Sequence, residues 1–206
     1  MLRLHPAYFL LVLAVAFAGC DVFDNDEDDL FGEFRADVVV EGQVEGDRLN
    51  DDEDEDDRRL RGEAVYTIVE TAHGPELVIG LFVGDLFDSQ YDEYQFISFR
   101  RKGGLPGVGA YAIDRDPQRA AVTSTYARVL DADEPEESAG PLLYGETGTL
   151  AISQVDPVGV ITGSFRFDAR GVFVENTGRF VEGTANGEFE ARYERPELLL
   201  GRGLSL

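Results

Sequence analysis

The sequence predicts an all-β protein, namely an antiparallel β-sandwich or flattened barrel of about eight to ten strands. In the last third of the chain, short apolar or alternating segments recur roughly every ten residues, a spacing typical of antiparallel sheets. The 206-residue chain also has 23 glycines, which suit the many turns of such a fold. No stretch has the sustained i, i+3, i+4, i+7 apolar periodicity with capping residues that indicates an amphipathic helix.

The first half of the chain supplies several predicted strands. Residues 34–40 alternate, so their apolar members are predicted to share one face: Phe34, Ala36, Val38 and Val40. Residues 64–69 (AVYTIV) and 77–83 (LVIGLFV) flank the turn-forming sequence Thr71-Ala72-His73-Gly74-Pro75 and are predicted to form a hairpin. Further strands are predicted at three places: 94–100, 107–113 and 121–130.

The last third of the chain gives the clearest strand pattern. Residues 149–155 (TLAISQV) and 160–167 (VITGSFRF) are predicted to pair through a turn at 156–159. Three shorter strands are predicted after them: 172–174, 180–181 and 188–193.

The N-terminus has the features of a secretory signal. Arg3 precedes the apolar run 7–18, which is too short to span a bilayer as a mature helix. The run ends at Phe17, Ala18, Gly19 and Cys20, and this sequence resembles a bacterial lipobox in which Phe17 replaces the usual Leu. The small side chains fit the signal peptidase, and Cys20, the only cysteine, accepts the lipid. An ordinary signal peptide with an incidental cysteine is the alternative.

A lipid on Cys20 would anchor the mature chain to a membrane without any spanning helix. We therefore expect a lipoprotein signal peptide at 1–19 and a lipidated, acidic tether at 20–32. The β-domain is expected at 33–195 and a C-terminal tail at 196–206.

The chain is strongly acidic, with 41 acidic and 18 basic residues and a net charge of −23. This charge disfavours nucleic-acid binding. Three runs hold six, seven and five acids with no basic residue, at 21–29, 51–57 and 131–137. Runs of like charge are expected to stay solvated, and the first one suits a spacer between lipid and domain.

The acid after Cys20 bears on the cellular location. An acidic stretch at this place resembles the surface-export signal of some Bacteroidota lipoproteins, whereas Asp21 directly after the cysteine resembles the inner-membrane retention signal of enteric bacteria. We expect the bacterial cell envelope, and the outer membrane rather than the inner one.

The closing segments carry a resemblance to a family. Residues 148–152 (GTLAI), 161–167 (ITGSFRF) and 178–183 (GRFVEG) resemble the closing hairpins of Bacteroidota envelope lipoproteins with a lipobox and one β-rich domain. The resemblance covers roughly residues 30–195. It implies structural roles, with glycines at turns and phenylalanines in the core, and it transfers no catalytic residue.

The sequence contains none of the common catalytic motifs, so we assign no catalytic residue. It lacks a G-x-S-x-G elbow, an H-E-x-x-H zinc motif and a phosphate-binding loop. After signal cleavage His73 is the only histidine, and it is predicted to be an exposed turn residue. An enzyme that uses only carboxylates, such as a glycan hydrolase or lyase, remains an alternative.

Calcium is the one metal that the composition favours, because it prefers oxygen ligands. Asp52, Asp54, Asp56 and Glu63 match positions 1, 3, 5 and 12 of an EF-hand loop. Asp57 replaces the glycine that the turn requires, so a weak site of the extracellular type is the more reasonable hypothesis. A solvated acidic loop is the alternative.

The sequence thus predicts a lipid-anchored envelope protein with a non-catalytic β-domain that binds or displays something outside the membrane. Its partner is an unidentified protein or glycan at the cell surface. The alternatives are a calcium-stabilised structural module and the carboxylate-only glycan-active enzyme.

Overall fold

The computed structural model describes residues 32–41, 43–45, 59–84, 94–129, 139–156, 159–173 and 179–196. Its regular elements are ten β-strands. In chain order these are β1 (Gly32–Val40), β2 (Gln43–Glu45), β3 (Leu60–Thr71), β4 (Gly74–Val83), β5 (Tyr94–Lys102), β6 (Gly109–Asp114), β7 (Thr123–Val129), β8 (Ala139–Asp156), β9 (Val160–Phe173) and β10 (Phe180–Tyr193). The prediction of an all-β fold is confirmed.

Eight of the strands form a closed antiparallel barrel. Seven neighbouring pairs follow chain order, from β1–β3 through β3–β4, β4–β5, β5–β7, β7–β8 and β8–β9 to β9–β10. Pairing of β1 with β10, in which Phe34 lies opposite Phe189, closes the circle. The predicted hairpin is present, since Thr71 at the end of β3 pairs with Gly74 at the start of β4. Of the two architectures predicted, the chain therefore adopts the barrel.

The two remaining strands are additions to this barrel. β2 pairs only with β1 among the described strands. β6 pairs with the second half of the 18-residue β8, whose first half pairs with β7. Ile113 of β6 also forms a β-bridge with Val122, the residue before β7, so β6 lies in the sheet next to the start of β7. The connection at 115–121, between β6 and β7, leaves the sheet at this point.

The barrel interior is packed with apolar side chains. The four residues predicted to share one face of β1 are all buried there: Phe34, Ala36, Val38 and Val40. The ring of Phe99 lies 5.0 Å from that of Phe165 and 6.0 Å from that of Phe167, as measured between centroids. Among the apolar side chains, the Tyr126 hydroxyl donates a hydrogen bond to Gln95 Oε1 at 3.0 Å, and both residues are buried. The predicted core position is confirmed for Phe165 and Phe167 and is wrong for Phe180 of the same pattern, which is 65% exposed.

The prediction that the family-like glycines lie at turns is wrong for the three described below, while Gly178 lies outside the described residues. Gly148, Gly163 and Gly183 lie inside β8, β9 and β10 and not between them. A Cβ on Gly163 would lie 2.7 Å from Cζ of Phe189, the residue opposite it on β10. Glycine is needed here because the phenylalanine ring covers the backbone of the neighbouring strand. These glycines do not break the strands, and the short segments predicted at 172–174, 180–181 and 188–193 belong to long strands.

The outer face of the barrel differs from one side to the other. On β10 buried and exposed residues alternate along most of the strand. On β4 seven consecutive residues, 77–83, are all buried. Val65 of β3 and Phe82 of β4 point away from the core cluster, yet they are 1% and 0% exposed. The wall of β3 and β4 is therefore buried on both faces.

The start of β1 and the strand ends that flank two acidic sequences lie at opposite ends of the barrel. Gly32 begins β1 at one end of the barrel. The connections β2–β3 and β7–β8 join strands at the opposite end, because consecutive barrel strands alternate in direction. These two connections contain the acidic runs 51–57 and 131–137.

Candidate functional site

An open groove lies on the outer face of β5, β7 and β8. Its volume is about 540 Å³, within the range of about 300–1,000 Å³ that is usual for ligand sites. The lining residues on the strands are Phe96, Ser98, Arg100, Thr123, Ser124, Thr125, Leu142, Tyr144 and Gly145. Arg115 and Pro117, from the connection between β6 and β7, add to the lining. We call this surface the β5–β8 groove.

Strand register explains why these side chains come together. Ser98 of β5 lies opposite Thr125 of β7, and Thr125 lies opposite Tyr144 of β8. Residues directly opposite each other in antiparallel strands share a face of the sheet. The groove therefore has a row of three hydroxyl groups across its width. Arg100 and Thr123, also opposite each other, form the next row.

Arg115 and Tyr144 form the most exposed part of the groove. The Arg115 guanidinium lies 5.9 Å from the centroid of the Tyr144 ring, within reach of a cation–π contact. The Arg115 Nη1 also lies 2.6 Å from Oε1 of Glu146. Tyr144 is 41% exposed, which is unusual for a large aromatic residue in a sheet. Its ring is accessible to a ligand in the groove.

Ser124 has a buried hydroxyl group on the interior side of β7. The residue lies between the outward-facing Thr123 and Thr125 and opposite the core residue Phe99. It is 3% exposed, and its Oγ has no hydrogen-bond partner in the described part of the chain. A side chain at Gly145 would collide with this oxygen, so the glycine leaves the space that the hydroxyl occupies. This hydroxyl therefore lies on the other face of the sheet from the groove.

Much of the groove comes from a basic part of an acidic chain. Residues 94–129 have six basic residues, at positions 100, 101, 102, 115, 119 and 128, against two acidic ones, Asp114 and Asp116. The Lys102 Nζ donates to the Pro117 carbonyl at 2.9 Å and so holds the connection beside the groove. The run Arg100-Arg101-Lys102 is a sequence signal of this region, which the predictions from the acidic runs did not include.

A second groove lies on the other side of β8 and has the opposite charge. It has a volume of about 630 Å³ and is lined by four carboxylates, those of Glu41, Glu146, Asp168 and Glu182. Arg170 also lines it and stands 5.2 Å from the centroid of the Phe180 ring. The two grooves thus contain similar arginine–aromatic contacts in surroundings of opposite charge.

Two of the predicted sites lie outside the described residues. They are the whole lipobox (Phe17, Ala18, Gly19 and Cys20) and the three aspartates of the calcium site (Asp52, Asp54 and Asp56). Glu63 lies in β3, half-buried, opposite Phe82 of β4 and Glu33 of β1. In the ranges that the structure describes, no group of three or more His, Cys, Asp or Glu could hold a metal ion. The calcium site stays a prediction, because its three aspartates are outside those ranges.

Other sequence predictions can be compared with the described residues. His73 lies in the exposed turn between β3 and β4, where its backbone N–H donates to Thr71 Oγ1 at 3.1 Å, as predicted. Across the described ranges we find no helical segment with the length and hydropathy that a transmembrane span requires.

Comparisons with protein families, curated proteins and solved structures give no match for this chain. The chemistry of the groove must therefore be judged from its own side chains. Arg100 and Arg115 are permanent cations, and Ser98, Thr123 and Thr125 are neutral hydroxyls. Such groups bind anions and hydroxyl-rich molecules, and none of them exchanges protons readily near neutral pH.

Proposed function

We propose that this protein is a lipid-anchored component of the bacterial cell envelope, whose β-barrel binds a ligand outside the membrane without altering it chemically. The observation that carries the proposal is the lining of the β5–β8 groove. It combines two guanidinium groups, a row of hydroxyls and an exposed aromatic ring. These groups suit recognition, whereas acid–base catalysis needs a group that titrates near the working pH.

The anchor rests on the N-terminal sequence. The lipobox-like residues end at Cys20, and the resemblance to envelope lipoproteins supports lipid attachment there. In our proposal residues 20–32 are the tether between this lipid and the barrel, and the lipid lies in the outer membrane.

Replacing Cys20 tests the anchor. We expect the Cys20→Ser protein to leave the detergent-soluble membrane fraction, because no lipid can then be attached. The same cells producing the unchanged chain are the control. Unchanged fractionation of the Cys20→Ser protein with membranes would contradict the proposal.

A separate assay tests whether the protein leaves its ligand chemically unaltered. The purified protein is incubated with mixed polysaccharides, and new reducing ends are counted over time. We expect no increase over a protein-free control, while efficient turnover would identify the protein as the carboxylate-only enzyme considered from the sequence.

A further inference from the structure

We propose that the β5–β8 groove binds a saccharide chain that carries carboxylate groups. This inference rests on the proposed function, since it names the class of ligand for the same groove. It goes further because it predicts which side chains recognise the charge and which recognise the sugar ring.

Charge favours a carboxylate ligand. Two guanidinium groups, of Arg100 and Arg115, line the groove, and none of the lining residues in the described ranges is an acid. Guanidinium groups bind carboxylates with two parallel hydrogen bonds in a favourable geometry. Arg115 already contacts Glu146, but this pair is exposed at the surface and such pairs are weak. A ligand carboxylate can therefore share or replace Glu146 at small cost.

The remaining lining favours a sugar over other anions. The Tyr144 ring presents an apolar face with a polar edge, a surface on which a sugar ring can stack. The hydroxyl row of Ser98, Thr125 and Tyr144 can both donate and accept hydrogen bonds, as sugar hydroxyls do.

An acidic peptide fits the groove less well. Extended peptides are commonly bound by adding a strand to a free sheet edge. Here β5, β7 and β8 each pair with a neighbouring strand on both sides, so the groove floor offers no edge. Side-chain groups alone must then bind the ligand, and these are the hydroxyls, rings and guanidiniums described above.

The test uses the full chain and calorimetric titration with three probes, namely polygalacturonate oligomers, neutral maltooligosaccharides of similar length, and poly-glutamate. We expect binding of polygalacturonate that weakens with added salt, and at least tenfold weaker binding of the other two probes. The Arg115→Gln variant should bind polygalacturonate about tenfold more weakly, a loss in keeping with one charge-assisted contact.

Arg170→Gln is the matched control. It removes the same charge from a similar arginine–aromatic contact in the acidic groove, and we expect it to leave polygalacturonate binding unchanged. Equal losses in the two variants would overturn the proposal, because they would indicate a general effect of net charge. Equal or tighter binding of poly-glutamate would also overturn it and identify a peptide ligand.

Two outcomes separate this inference from the proposed function. If maltooligosaccharides bind as well as polygalacturonate and Tyr144→Ala abolishes both, the groove is a binding site and only the acidic ligand is wrong. If no probe binds, the inference is overturned while the anchor test with Cys20→Ser still stands. If polygalacturonate is shortened during the titration, the non-catalytic function itself is contradicted.

Discussion

The strands β4 and β10 line the same core, yet their outer faces lie in different surroundings. Along β10 the inward residues, such as Val181 and Phe189, are buried, and the residues between them, such as Glu182 and Glu188, are exposed. Along β4 all residues from 77 to 83 are buried, including those that point outward. The sequences differ in the same way, since FVEGTANGEFEARY alternates and LVIGLFV is continuously apolar. A continuous apolar run thus indicates a strand buried on both faces.

Polar atoms on the β3–β4 wall agree with this interpretation. Thr67 of β3 points outward beside Val65 and is 0% exposed, and its Oγ1 has no hydrogen-bond partner in the described ranges. A hydroxyl is left without water only where a surface is covered. The outer face of β3 and β4 therefore contributes to stability, whereas the outer face of β10 contributes to solubility.

The same substitution on the two walls gives the largest expected contrast. Phe82→Ala removes a ring that is 0% exposed on β4, and we expect a loss of about 3–5 kcal/mol in the free energy of unfolding. Phe180→Ala on β10 removes a ring that is 65% exposed, and we expect a change within about 0.5 kcal/mol. Urea unfolding measures both. Similar losses in the two variants would show that the outer faces of β4 and β10 contribute equally to stability.

A second comparison tests how closely β9 packs against β8 and β10 on the inner face of the barrel. Gly163→Ala would place a Cβ 2.5 Å from the Ala151 carbonyl oxygen and 2.7 Å from the Phe189 ring. The backbone oxygen cannot move aside easily, so we expect a loss of about 1–3 kcal/mol in the free energy of unfolding. Gly104→Ala is the control, because a Cβ there meets nothing within 4 Å. If Gly163→Ala leaves the free energy of unfolding unchanged, the Ala151 backbone and the Phe189 ring can move away from Gly163 without cost.

The smallest expected effect concerns the contact between β3 and β10. Burial raises the pKa of Tyr66 on β3, and the neighbouring Tyr193 of β10, whose ring centroid is 5.6 Å away, raises this pKa further. In the unfolded chain the phenol ionises near pH 10. The stabilisation is therefore complete below about pH 10 and is lost as the pH rises through the raised pKa.

We expect the free energy of unfolding to fall above about pH 10, and to fall less steeply in Tyr66→Phe. Tyr144→Phe, at an exposed ring, is the control and should keep the slope of the unchanged chain. Urea unfolding at a series of pH values gives the slopes. Identical slopes for all three proteins would contradict the assignment of this effect to Tyr66.

Local pattern was enough to predict much of the fold. The alternation of 34–40 predicted the buried face of β1, and the turn sequence around His73 predicted the β3–β4 hairpin. The same reasoning predicted the hairpin of 149–155 and 160–167, which is present in β8 and β9, but it divided the rest of β9 and β10 into short segments and interpreted their glycines as turn residues. Gly163 and Gly183 lie within strands, where a glycine can also serve to admit a large side chain from the neighbouring strand.

The β5–β8 groove could not be predicted in this way. Its residues come from three strands and one connection, and they share a surface only through the register that pairs Ser98 with Thr125 and Thr125 with Tyr144. A shift of one residue in any strand would turn its side chains to the other face. The basic residues of 94–129 were visible in the sequence, but the position of two of them, Arg100 and Arg115, in one groove was not.

The sequence by itself determined the class of fold, the strands and the candidate anchor at Cys20, because periodicity, turn residues and a leader motif are local properties of the chain. The tertiary structure alone decided that β1 pairs with β10, that β3 and β4 are buried on both faces, and that Arg100, Arg115 and Tyr144 line one groove. The physical reason is that closure and register depend on contacts between residues distant in the sequence. Their energies depend on which strands meet, and no local pattern specifies this.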